Sequence, residues 1–208
     1  MRNIDYQKCG KYFSYIFWLL IPREIAGLMT NQRIGGSVPA LLAAGTVISA
    51  LCIAAEAYFL WQLKDQNEGY KTAAILYMAG AVVSVFSGLA ARPSNNSIGL
   101  TILAGIANPA IGLAEVHFTN TAHSEVMSEP SPELSARWLQ LRKYMFIAVG
   151  LTLGSLILLF IPVIAAFGAL AGAIMTVVVS IMSLAALYRS AQVCKTYVPK
   201  QADIPGEL

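Results

Sequence analysis

Charge is the first thing this sequence lacks. Only 12% of its 208 residues are Asp, Glu, Lys or Arg, against about a quarter in soluble domains. Histidine occurs twice, at His117 and His123, and the three cysteines, Cys9, Cys52 and Cys194, are far apart and form no CxxC. That argues against a disulfide framework or a zinc knuckle. There is no HExxH, no phosphate loop and no Ser/His/Asp set, so the reading disfavours an enzyme and assigns no metal and no cofactor. The basic residues stand at the ends of apolar runs and form no patch, which argues against nucleic acid as a partner.

What is present is apolar sequence. Hydrophobic residues make up 57% of the chain, and its mean hydropathy is +0.63. A bilayer needs about 20 apolar residues per helical crossing. The runs predict six crossings, near residues 12–29, 38–63, 71–91, 98–118, 143–162 and 167–188. The expected fold is therefore all-α, a single transmembrane bundle over 1–190 with a polar, loosely ordered tail over 191–208. Ser131-Pro132-Glu133 reads as a helix start. After it, Leu134, Trp138 and Leu141 share one face. This predicts an amphipathic helix on the cytoplasmic membrane surface that leads into the fifth span.

The first run carries Pro22-Arg23-Glu24 and could either cross or re-enter. Basic residues favour crossing. With six spans, eleven of them (Arg2, Lys8, Lys11, Lys64, Lys71, Arg137, Arg142, Lys143, Arg189, Lys195 and Lys200) fall on the side of the termini. Only Arg33 and Arg92 fall on the other. By the positive-inside rule both termini are cytoplasmic, and the expected location is the cell (inner) membrane.

Polar residues inside apolar runs are expensive and so carry the functional reading. In the fourth run Thr101, Gly105, Asn108, Gly112 and Glu115 recur at steps of four and three, a single helical face. In the second run Gly45, Ser49, Cys52 and Glu56 do the same. Glu56, Glu115, Asn108, Arg23, Ser49 and Thr101 are thus the candidate ion or substrate path. AEAYF (55–59) also aligns with AEVHF (114–118), a repeat of span two in span four. A competing symmetry pairs spans one and four, both interrupted by proline, as in transporters built from inverted repeats.

Asn108-Pro109-Ala110 is similar to the box that aquaporins carry twice on facing half-helices. This chain has one copy with different flanks, so the tripeptide reads as a proline kink. His117 and His123 read as solvated loop residues. Gly80, Ser84 and Gly88, and likewise Gly168 and Gly172, form small faces for close helix packing.

Two functions fit this pattern. The first is a small transporter or channel subunit for an ion or small polar solute. The second is a non-transporting interaction, assembly or immunity subunit of a larger complex. The lipid bilayer is the expected partner, together with a homo-oligomer contact or a partner membrane subunit at the small faces.

Overall fold

A computed structural model of the chain describes residues 4–30, 39–90, 98–157 and 162–199. Within these, the side chains of 28, 39, 42, 84–90, 98–106, 108, 156, 157, 162 and 165 are not described. The described residues form six helices and no strand: α1 (Tyr6–Thr30), α2 (Pro39–Gln62), α3 (Glu68–Ala90), α4 (Ile98–Met127), α5 (Pro132–Ile157) and α6 (Pro162–Thr196).

Local chemistry sets the helix starts. The side chain of Asp5 accepts the N–H of Lys8 at 2.9 Å and caps α1. Asn67 accepts the N–H of Gly69 at 2.8 Å and caps α3. Ser131 accepts the N–H of Leu134 at 3.4 Å at the start of α5, where Pro132 takes the first helical position. These short polar side chains satisfy amide groups that have no partner within a first turn.

Each helix packs on its neighbours in sequence, and α6 closes back on α1. The result is an antiparallel ring, and its two end helices bring both termini to one end. Gln7 donates to the Lys195 carbonyl at 2.8 Å. Tyr6 and Tyr197 both donate to Glu129, each at 2.8 Å. We call this the terminus end. Lys8, Lys11, Lys64, Lys71, Arg137, Arg142, Lys143, Arg189 and Lys195 all lie toward it.

The tightest core is also there. Phe13, Leu63, Tyr70, Val126, Met127 and Leu141 are completely or almost completely buried. Toward the other end the outward faces are as apolar as the inward ones. Trp18 is 65% exposed and Phe167 70%, with Leu51, Ile75, Ile147 and Ile174 exposed between them. Two stretches, Ala43–Gln62 in α2 and Ala166–Thr196 in α6, are long and apolar enough to cross a membrane.

Three expectations change. First, no separate amphipathic helix precedes the fifth span. Pro132–Ile157 is one helix, and Leu134, Trp138 and Leu141 are 7%, 3% and 0% exposed. That face is apolar because it packs in the bundle, not because it meets a membrane surface. Second, the first and fourth helices are not interrupted. Pro22 and Pro109 lie inside continuous helices. Proline at these places removes only the bonds to the carbonyls of Trp18 and Gly105. Third, α4 and α6 run on to Met127 and Thr196, beyond the apolar runs that end at 118 and 188. The first residues of the expected tail are thus helical, and Ala191 and Cys194 are buried.

Candidate functional site

The first four helices each send one element to a common place about halfway along the ring. Arg23 of α1 donates through Nη1 to Glu56 Oε2 of α2 at 2.5 Å. Glu56 is 1% exposed, and its Oε1 has no hydrogen-bond partner among the described residues. The Arg23 guanidinium lies 5.6 Å from the ring centroid of Tyr77 on α3, within the range of a cation–π contact. One turn on, Gly80 makes room for Glu115 of α4. A Cβ at Gly80 would stand 2.6 Å from Glu115 Oε1. The charge of Arg23 also acts on Glu115. Among the predicted path residues, the structure therefore gathers Arg23, Glu56 and Glu115.

The others separate from this group. The α2 stripe begins as a packing face: a Cβ at Gly45 would be 2.8 Å from Met29 Cβ and 3.0 Å from the Ala26 carbonyl oxygen. Ser49, half-buried between Gly45 and Glu56, continues that stripe. At Gly45 the stripe thus serves α1–α2 packing. The side chains of Thr101 and Asn108, on α4, lie outside the described residues, as do Ser84 and the Gly88 surroundings on α3. Gly80 packs on α4, while Gly168 and Gly172 pack on α5.

Tyr77 was missed by the sequence reading. Its only signal was a polar-tipped aromatic one turn before Gly80, in an otherwise apolar run.

Below the charged group, toward the terminus end, aromatic rings fill the ring interior. Phe13 of α1 meets His123 of α4 edge to face, with centroids 4.8 Å apart. His123 also lies 4.5 Å from Trp138 and 5.4 Å from Tyr70, centroid to centroid. Tyr70 Oη and His123 Nδ1 are 2.9 Å apart. The Trp138 indole N–H donates to Ser190 Oγ at 3.1 Å. So α1, α3, α4, α5 and α6 are tied through one plug. His123 and His117 are thus both helical residues, not loop residues. His117 is exposed, but His123 is 2% exposed. The helix continues through this polar stretch because its side chains find partners inside the bundle.

Burial pushes the pKa of His123 down from 6.5 to about 3. The neutral ring therefore accepts the Tyr70 hydroxyl, and the folded state resists protonation. The unfolded chain takes up a proton as pH falls through about 6.5, while the folded one waits until about 3. Stability contributed by neutral His123 is thus complete above pH 6.5 and is lost as pH falls below it. The slope is about 1.4 kcal/mol per pH unit in that window. His123→Gln keeps an acceptor for Tyr70 but cannot titrate. We expect the wild-type melting temperature to fall relative to H123Q between pH 6 and pH 4. Parallel curves would mean that His123 reaches water.

No family model matches the chain, and neither a curated protein nor a solved structure is significantly similar to it. Among the described residues, no group of three or more His, Cys, Asp and Glu side chains could hold a metal ion.

Proposed function

We propose that the chain is a polytopic integral membrane protein, with both termini cytoplasmic, that moves an ion or small polar solute through the interior of its helix ring. The observation that carries this reading is the Arg23–Glu56 pair with Glu115 beside it. A charge at mid-membrane costs roughly 2.5–3.5 kcal/mol on insertion scales. Three such groups gathered in the interior of an apolar ring are expected of a path.

The membrane setting is supported by the many exposed large apolar side chains, Trp18, Leu51, Phe167 and Ile174 among them. It is also supported by the apolar windows of α2 and α6, only 28% and 22% buried. A core helix of a soluble domain would be mostly buried. The basic residues at the terminus end support that orientation. Reporter fusions after Lys11 and after Lys195 should both report the cytoplasm.

The competing reading, a non-transporting assembly or immunity subunit, drew on the small-residue faces. Gly80, Gly168 and Gly172 contact helices of the same chain, so those positions offer no surface to a partner.

Transport is tested by flux through reconstituted protein. Glu115→Gln keeps the shape of the side chain and removes its charge. It should abolish cation- or pH-dependent flux while leaving the protein folded, and Asn108→Ala should reduce flux. Wild-type flux unchanged in E115Q would sink the reading.

A further inference from the structure

Charge at the Arg23 group does not balance. Arg23 supplies one positive charge, whereas Glu56 and Glu115 supply two negative ones. From α1, Glu24 adds a further negative charge in reach of Glu56 and is itself exposed. The remaining titratable groups on the packed elements are Cys52 of α2 and Tyr77 of α3, which bring no positive charge. An unbalanced carboxylate in an apolar interior is strongly disfavoured. Among the described residues, Oε1 of Glu56, in a residue 1% exposed, has no hydrogen-bond partner and can receive a neutralising group.

The surroundings give this group an open side. On α1, Cys9, Phe13, Ile16, Arg23 and Gly27 recur at helical spacing and share the inward face. Cys9, Phe13 and Ile16 are buried, but Gly27 is exposed, and a Cβ there would meet nothing within 4 Å. On α4, Gly112 lies three turns from His123 on the same face, and a Cβ there would also meet nothing within 4 Å. Gly27 is one turn beyond Arg23, and Gly112 one turn beyond Glu115, both away from the termini. Among the described residues, space is therefore open beside the charged group on that side, while Phe13, Tyr70, His123 and Trp138 close the other.

We infer that Arg23, Glu56 and Glu115 bind one monovalent positive charge, a proton or an alkali-metal cation, that enters from the end opposite the termini. This deepens the transport reading, on which it rests, by naming the class of substrate. Oε1 of Glu56 and the Glu115 carboxylate receive the charge, and Arg23 holds Glu56 in place through Oε2. Gly80 sets the position of the Glu115 carboxylate.

The test uses the full chain purified in detergent, with thermal unfolding followed by tryptophan fluorescence. At alkaline pH in choline chloride, substitution of lithium, sodium or potassium chloride at constant ionic strength should raise Tm saturably in the wild type and not in Glu115→Gln. If the occupant is a proton, the alkali cations have no effect. Lowering the pH in choline then raises the Tm of the wild type relative to E115Q. His123 acts equally in both proteins and cancels.

Gly80→Ala retains every charge but displaces the Glu115 carboxylate. It should weaken the apparent affinity for the occupant about tenfold or more, a loss of at least about 1.4 kcal/mol. A wild type and an E115Q variant that respond identically in both series would overturn the site, and so would unchanged affinity in G80A. Binding without flux in liposomes would leave the site standing and remove transport. Flux without any E115Q-dependent Tm response would do the reverse.

Discussion

Arg23→Met is expected to be among the most damaging single substitutions in the chain, and adding Glu56→Gln to it should restore much of the loss. The guanidinium of Arg23 is the hydrogen-bond partner of Glu56 Oε2, and Glu56 is 1% exposed. Met occupies nearly the same length but leaves the carboxylate buried and uncompensated. Breaking a buried pair from one side costs about 3–5 kcal/mol, a large share of the 5–15 kcal/mol that holds a typical domain folded.

Glu56→Gln alone should cost less, because Arg23 retains the field of Glu115 and the ring of Tyr77. The expected order of melting temperatures is therefore wild type, then E56Q, then the double variant, with R23M lowest. The double variant should pass no substrate even where it folds, which separates the structural role of the pair from its place on the path. If the double variant melts no higher than R23M, Glu56 reaches water and the pair does not lie in a dry interior.

The helices were legible because hydropathy and helical period act locally. A stripe at steps of four and three must lie on one face, and that placed Glu56 and Glu115 on inward faces before any packing was known. What such a stripe faces is a different matter. Gly45 and Ser49 read equally well as a path wall or as a packing surface, since small side chains serve both. Only the approach of Ala26 and Met29 decides for packing.

Helix ends were misplaced for a related reason. Apolarity ends near Phe118, but the helix needs only internal partners to continue. Thr121 accepts from Arg142 at 2.7 Å, and Ser124 pairs with Ser135 at 2.9 Å. These partners come from α5, twenty-one and eleven residues away, and no local rule reveals them. The prolines misled in the opposite direction. A local rule breaks a helix at Pro22, yet the bundle on both sides keeps the axis continuous.

Gly172→Leu tests the α5–α6 seam of the ring. At Gly172 the α5 and α6 backbones approach so closely that a Cβ would meet Thr152 Oγ1, and would lie 3.0 Å from the Ala148 carbonyl oxygen. Thr152 cannot simply turn away, because its hydroxyl donates to that same carbonyl at 3.0 Å. One turn earlier on α6, a Cβ at Gly168 would stand 3.1 Å from Ser155 Cβ, so both glycines belong to one tight seam.

A leucine must therefore push the helices apart along several turns. Overpacking of even a few methylenes costs about 1–3 kcal/mol in a relaxable core, and here the obstruction is partly backbone. Folded yield of G172L should fall to near zero. Gly172→Ala should fold with a clearly lowered melting temperature. Leu170→Ile, two residues away and 57% exposed, should change stability by no more than about 0.5 kcal/mol. Monodisperse yield after extraction and the melting temperature report all three. If G172L matches L170I in both, position 172 faces outward, and the α5–α6 seam described above is wrong.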